Sequence, residues 1–307
     1  VSGIDARSDA IYELLEEGSS VERLATGFTF TEGPIWHPGE QVLYFSDMPA
    51  DIRRKVTLDG EVTEVRNPAF KCNGMTLEPD LSLLVCEHVT SSLVRERSDG
   101  VRETLAFHYE GKYLNSPNDV TVRSDGTIYF SDPWYGRFPG FGIERARELG
   151  WQGVFRIPPG GGQDELALAV PQDEFDMPNG VCFSPDESLM YINDTPRAHI
   201  KVFDVAADGT LSNGRMFFEA IGTGVIEEGI PDGMKCDERG NIWVTGPKGI
   251  WVISPGGELL GVLQVPEAPG NLTWGGPDWH TLFIPSSSSV YTIRTLVGPR
   301  REPYMGR

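Results

Sequence analysis

The chain has 307 residues, 39% hydrophobic and 23% charged, and carries a formal net charge of −19. That length can bury one large core or two. The acidic balance leaves no basic stripe for nucleic acid, and no run approaches the roughly 18 apolar residues of a membrane span. Four cysteines without a CxxC pair argue against a zinc ribbon and fit a reducing compartment. No signal-peptide pattern opens the sequence, so the expected location is cytoplasmic, or periplasmic if a leader preceded Val1.

In chain order, Ser8 to Glu17 reads as a short helix packed outside the main body. Ser8 is its cap, and Ile11, Leu14 and Leu15 lie at helical spacing. The strand-like segment VERLATGF follows, with no partner nearby in sequence. From there one pattern recurs six times: TEGPIWHPGE, KCNGMTLEPD, SPNDVTVRSDG, MPNGVCFSPDE, IPDGMKCDERG and APGNLTWGGPD. Each has a polar anchor, an alternating strand and a turn; the anchors are Glu32, Asn73, Asn118, Asn179, Asp232 and Asn271.

A second strand ends 14 or 15 residues after every anchor, at Asp47, Glu87, Asp132, Asp194, Gly246 and Ser286. Third strands follow, most of them closing on Asp-Gly or Gly-Gly turns. Fourth strands such as VTEVRN, RMFFEA and LLGVLQV complete five of the units. The sixth unit lacks one, and VERLATGF supplies it. Four strands in each of six units predict an all-β, six-bladed β-propeller, antiparallel within each blade and closed by an N-terminal strand. Residues 1–307 thus read as one propeller domain with a short N-terminal helix. The longest step between anchors holds an insert whose segment IERARELG predicts about two helical turns.

The first strand of a propeller blade lines the central channel, so the six anchors converge near one end of the axis. Glu32, Asn118, Asn179 and Asp232 there offer two carboxylates and two amide oxygens, a set suited to hard or intermediate divalent cations. An Asn-Gly or Asp-Gly dipeptide alone is an ordinary turn signal, and Asn73 and Asn271 carry no more than that. Asn115, Trp134 and Tyr135 fall in loops that crown the site, where aromatic faces suit a sugar ring. Other chemistries lack support: there is no GxSxG, HExxH, P-loop or post-strand GxGxxG, and the five histidines show no ligand spacing.

The ordered set TEGPIW, LNSPNDVTVRSDGTIYFSDPWYG, MPNGVCFSPDE and PDGMKCDERGNIWV resembles the gluconolactonase and regucalcin (senescence marker protein) family, nearer its microbial branch, over Thr31 to Ile293. The resemblance implies a metal-dependent lactonase with one divalent ion on the axis. Ca²⁺ is the first expectation, with Mn²⁺, Mg²⁺, Zn²⁺ and Fe²⁺ as alternatives. It implies Glu32, Asn179 and Asp232 as metal ligands, Asn118 as a contact to metal or substrate, and Asp232 as acid/base, with Asp119 a second candidate for base. Regucalcin carries an arginine where this chain has Ser116, so hydroxyl recognition must differ. The expected partner is a small-molecule lactone, with no nucleic acid and no membrane; oligomeric state is left open. Two other functions fit the same residues: a paraoxonase-like hydrolase of esters or non-sugar lactones, and a non-enzymatic binding propeller. A metal-free condensing enzyme of the strictosidine synthase kind fits them less well.

Overall fold

The computed structural model describes residues 3–306. They form six antiparallel sheets of four principal strands each, arranged as a six-bladed β-propeller. Blade one runs Thr31–His37, Val42–Asp47, Ile52–Val56 and Val62–Arg66; blade two is Cys72–Leu77, Leu83–Glu87, Ser92–Glu96 and Arg102–Ala106. Blade three is Val120–Val122, Ile128–Asp132, Gly153–Ile157 and Ala167–Leu168; blade four is Pro178–Phe183, Leu189–Asp194, His199–Val205 and Leu211–Phe218. Blade five comprises Met234–Cys236, Ile242–Gly246, Gly249–Ile253 and Leu259–Gln264, and blade six Thr273–Gly275, Thr281–Ser286 and Ser289–Arg294.

The outer strand of blade six is Glu22–Thr26, paired antiparallel with Ser289–Arg294 as expected. A feature the sequence did not disclose is Gly3–Ala6, which adds a fifth strand to blade five along Leu259–Gln264. Second strands such as Leu43-Tyr44-Phe45 and Tyr129-Phe130 are buried on both faces because neighbouring blades cover them. The core therefore lies between blades. Trp36 stacks on Phe283 at 5.5 Å between centroids where blades one and six meet, and Trp243 meets Trp274 edge-on at 5.2 Å between blades five and six. All four cysteines are free and buried.

Both helical expectations need correction. The first helix is a single 3₁₀ segment, Asp9–Glu13, with the Ser8 hydroxyl accepting from the Ala10 N–H at 3.3 Å. Ile11, Leu14 and Leu15 are buried against blades five and six, so tertiary packing replaces the later turns. IERARELG forms no helix. Its side chains are drawn apart: Arg145 donates to the Ser91 hydroxyl at 2.6 Å and covers the Tyr113 ring, Arg147 covers Trp134, and Glu148 accepts from the Tyr113 N–H. Among the described residues no helix is long and apolar enough to cross a membrane.

Candidate functional site

The fixed distance from anchor to second-strand end has a physical cause. In blades one, three and four the aspartate ending the second strand binds the two backbone N–H groups that lie three and two residues before the anchor. Asp47 accepts from Thr29 and Phe30 at 2.9 and 3.3 Å; Asp132 from Asn115 and Ser116, both at 2.8 Å; Asp194 from Asp176 and Met177 at 2.7 and 3.3 Å. Each carboxylate thereby fixes the chain just before it enters the channel, and with it the anchor's position.

The residue after the anchor is as constrained. In blades one, two and four the inner strand breaks register at Glu32, Asn73 and Asn179, and such an irregularity re-aims a side chain. The following glycine lets adjacent blades touch. A Cβ on Gly33 would lie 1.8 Å from the Asn73 carbonyl oxygen, and one on Gly180 would lie 2.3 Å from that of Asp232. The Asn-Gly and Asp-Gly dipeptides are therefore close blade contacts at the axis rather than hairpin turns.

The anchors converge on the floor of one cavity of about 160 Å³, lined by Glu32, Asn73, Asn118, Asn179 and Asp232. A chain of amides crosses this floor. Asn73 Nδ2 donates to Asn118 Oδ1, Asn118 Nδ2 to Asn179 Oδ1 at 2.5 Å, and Asn179 Nδ2 to the Thr195 hydroxyl at 3.2 Å. Glu32 is buried, and its Oε2 accepts from Asn271 Nδ2 at 3.0 Å and from the Gly33 N–H. Asn73 and Asn271, which the sequence marked only as turns, thus belong to the floor or brace it.

Asp232 is half-buried and in contact with Asn179 and Glu32. Burial, with Asp119 nearby, pushes its carboxyl up to about 7. Burial also raises Glu32 well above the ordinary carboxylate range, and the charges of Asp232 and Asp119 add to the effect. Asp119 is buried and lies off the cavity lining, its Oδ2 accepting from the Val181 N–H of the next blade at 3.1 Å. Behind the cavity lining, His88 is fully buried: its Nδ1 faces the Phe141 carbonyl at 2.7 Å and its Nε2 faces Asn73 Nδ2 at 3.4 Å. Burial lowers its pKa to about 4, so it is neutral and ties the mouth to the floor. Its place directly after the acidic end of a second strand is the one signal that could have marked it.

The crown residues separate. Tyr135 lines the cavity. Asn115 and Trp134 lie outside the lining: Asn115 Nδ2 donates to the Asp132 and Trp151 carbonyls, both at 3.0 Å, and Trp134 sits under Arg147. Ser116 is fully buried, its hydroxyl donating to the Pro133 carbonyl at 2.6 Å and accepting from the Gly136 N–H at 2.9 Å. The upper walls are apolar: Phe30, Met48, Phe138, Phe141, Ile226 and Ile230.

Residues 30–288 match the family described as the SMP-30/gluconolactonase/LRE-like region. The chain belongs to this family. A relative in the SMP-30/gluconolactonase family, the gluconolactonase of Zymomonas mobilis, is 31% identical over 96% of this chain and 86% of its own length. The structure of a gluconolactonase from Xanthomonas campestris superposes with a TM-score of 0.86 at 30% identity, covering 96% of this chain and 95% of that one. A calcium-binding regucalcin from Agrobacterium tumefaciens shares the fold, with a TM-score of 0.75 at 18% identity over 92% and 96% of the two chains. The SMP-30/gluconolactonase family thus supplies the enzyme class, a lactonase.

The SMP-30/gluconolactonase family also raises the question of a divalent ion, and the donors here fit one. Among the described residues no group of three His, Cys, Asp or Glu side chains forms a metal nest, so amide oxygens must complete any set. They are present: Asn73 Oδ1 is buried without a partner, and Asn118 and Asn179 flank it. The two carboxylates of the floor lie close together, and among the described residues no lysine, arginine or histidine lines the cavity with them. Buried charges of one sign are costly unless compensated.

Proposed function

We propose that the axial site carries out the gluconolactonase reaction, the hydrolytic opening of a lactone ring, with Glu32, Asn118, Asn179 and Asp232 holding one divalent cation. The observation that carries this reading is the close pair Glu32 and Asp232, both raised by burial and Glu32 further by the charge of Asp232, on a floor of amide oxygens. All-oxygen donors favour Ca²⁺, with Mn²⁺ and Mg²⁺ next. Bound there, the cation supplies Lewis-acid polarisation of the carbonyl and a more acidic water.

The protein's own residues supply the rest. Asp232, the carboxylate of the pair with more exposure to the cavity, receives the proton of the attacking water. Water adds to the carbonyl carbon, the ring C–O bond breaks, and the departing ring oxygen takes a proton, giving the hydroxy acid. Glu32 stays fixed through Asn271 and the Gly33 N–H. Asn118 and Asn179 orient one another through their shared hydrogen bond. Asp119, already spent on the Val181 N–H, shapes the field around both carboxylates. The buried free cysteines fit the cytoplasmic location we propose.

The test is lactone hydrolysis by chelated protein. Removing divalent ions is expected to abolish turnover of glucono-δ-lactone, and one of Ca²⁺, Mn²⁺ or Mg²⁺ to restore it. Undiminished turnover after chelation, with metal analysis showing an empty protein, would sink the metal-dependent reading.

A further inference from the structure

The floor of the cavity is polar and its walls are not. Phe30 meets Phe141 edge-on at 5.6 Å, and Tyr135 meets Phe138 edge-on at 6.0 Å. Met48, Ile226 and Ile230 complete the walls. These residues come from four separate segments: the approach to blade one, the turn after its second strand, the blade-three insert, and the loop between blades four and five. Ile226 is 60% exposed and Phe138 37% exposed, so the rim holds apolar surface in water. Single exposed apolar side chains are ordinary, but convergence on one opening marks a binding surface.

Above the floor, most polar groups that could read sugar hydroxyls are committed elsewhere. No arginine, lysine or histidine lines the cavity among the described residues. Lys71 Nζ is held by the Pro49 and Gly140 carbonyls at 2.9 and 3.0 Å, and Arg137 is buried against the His88 carbonyl. The Ser116 hydroxyl and the Asn115 amide N–H groups are spent on backbone, and neither residue lines the cavity. Among the described wall residues only Tyr135 carries a hydroxyl. Hydroxyls placed against Phe30, Phe138 and Ile226 would lose water without replacement. An alkyl or aryl group there loses only water that the wall already repels.

Resting on the lactonase reading, we propose that this site selects lactones carrying an apolar alkyl or aryl substituent, with the ring carbonyl over Glu32 and Asp232 and the substituent between the Phe30–Phe141 and Tyr135–Phe138 pairs. The reaction is unchanged: water adds to the carbonyl, the ring C–O bond breaks, and a hydroxy acid with an apolar tail leaves. Each methylene seated in such a pocket is worth roughly 10-fold or more in kcat/KM.

The experiment uses the full chain loaded with its activating ion and compares glucono-δ-lactone, δ-valerolactone and δ-decalactone. The expected order places δ-decalactone at least about 10-fold above both others in kcat/KM. Ile226→Asp and Phe138→Ser, both on exposed rim positions, are expected to pull the δ-decalactone to δ-valerolactone ratio towards one. Calorimetry with non-hydrolysable lactams is expected to show the alkyl-substituted ring binding more tightly than the bare ring. Glucono-δ-lactone equal to or better than δ-decalactone, or a ratio unmoved by both variants, overturns the substituent proposal while leaving the lactonase intact. Hydrolysis of none of the three overturns both.

Discussion

The two ends of the axial channel solve one electrostatic problem in different ways. At the site end, Glu32 and Asp232 press together with no cationic side chain in the lining. At the far end, Glu187 and Glu302 close on Arg300, which is 1% exposed and lies 3.2 and 2.7 Å from them. Arg300 arrives on the segment after blade six. Its backbone N–H donates to the Cys236 carbonyl, its guanidinium to the Val122 carbonyl, and it lies over the Phe183 ring. Tyr304 follows and packs with Ile35 and Met75 inside the ring. The far end is plugged and self-neutralised; the site end is open and leaves its charge for something from outside. A resident cation makes a stopper, and an absent one makes a socket.

The contrast is broken most severely at the socket. Asp232→Asn is expected to lower kcat/KM by about 10²–10⁴-fold, the range of a lost acid/base group, while thermal unfolding stays within a few degrees of the parent. Steady-state kinetics beside a melting curve decides it, and retention of most activity would move the base elsewhere.

The stopper comes next. Arg300→Leu removes the buried cation between Glu187 and Glu302 and is expected to cost about 3 kcal/mol, the lower end for a broken buried pair because Glu187 keeps Arg123 and Ser124 and both carboxylates keep some solvent. Urea unfolding at neutral pH measures this, and a loss below about 1 kcal/mol would show the plug to be cosmetic. A smaller effect is expected from Asn271→Ala, which removes one of the two donors to Glu32 Oε2 and leaves only the Gly33 N–H. Ion affinity should fall about 10- to 100-fold, as for other supports of a ligating group, read by titration calorimetry.

The gentlest test is pH. Asp232 releases its proton near 3.8 unfolded but near 7 when folded, and Glu32 is raised in the same direction. Between those values the folded chain binds more protons, so stability of the chelated protein should fall as pH climbs from about 4 to 7. Asp132, likewise pushed up to about 7 by burial, adds to that slope and lies away from the axial floor. A divalent ion should flatten the axial part of the slope and leave the Asp132 part. Melting temperatures across that range, with and without ion, separate the two.

The propeller was legible because its period is written in short-range chemistry. Alternating strands, Asp-Gly hairpins and an acidic second-strand end all act within about 20 residues of each other. The axial anchors were legible for the same reason: Asp47, Asp132 and Asp194 hold their loops at a fixed distance. What escaped was made by distance. Arg300 has no periodic neighbours and acquires its role from Glu187, far away in sequence. The walls are scattered over positions 30, 48, 138, 141, 226 and 230, so no window of sequence shows them together. IERARELG carried a helical spacing, but its charges found partners on Ser91, Tyr113 and Trp134 instead.

The closing strand Glu22–Thr26 gives the ring its circumference. Thr31, next to Glu32, donates its N–H to the Ser287 carbonyl and its hydroxyl to the Ser289 carbonyl, at 2.8 and 3.1 Å, across the same seam. A ring that gaps there also pulls Glu32 on blade one away from Asn271 on blade six. Catalysis then has a lower breaking strain than the fold: gentle denaturation should silence turnover while five blades keep their circular dichroism, and activity becomes a gauge of whether the circle is closed.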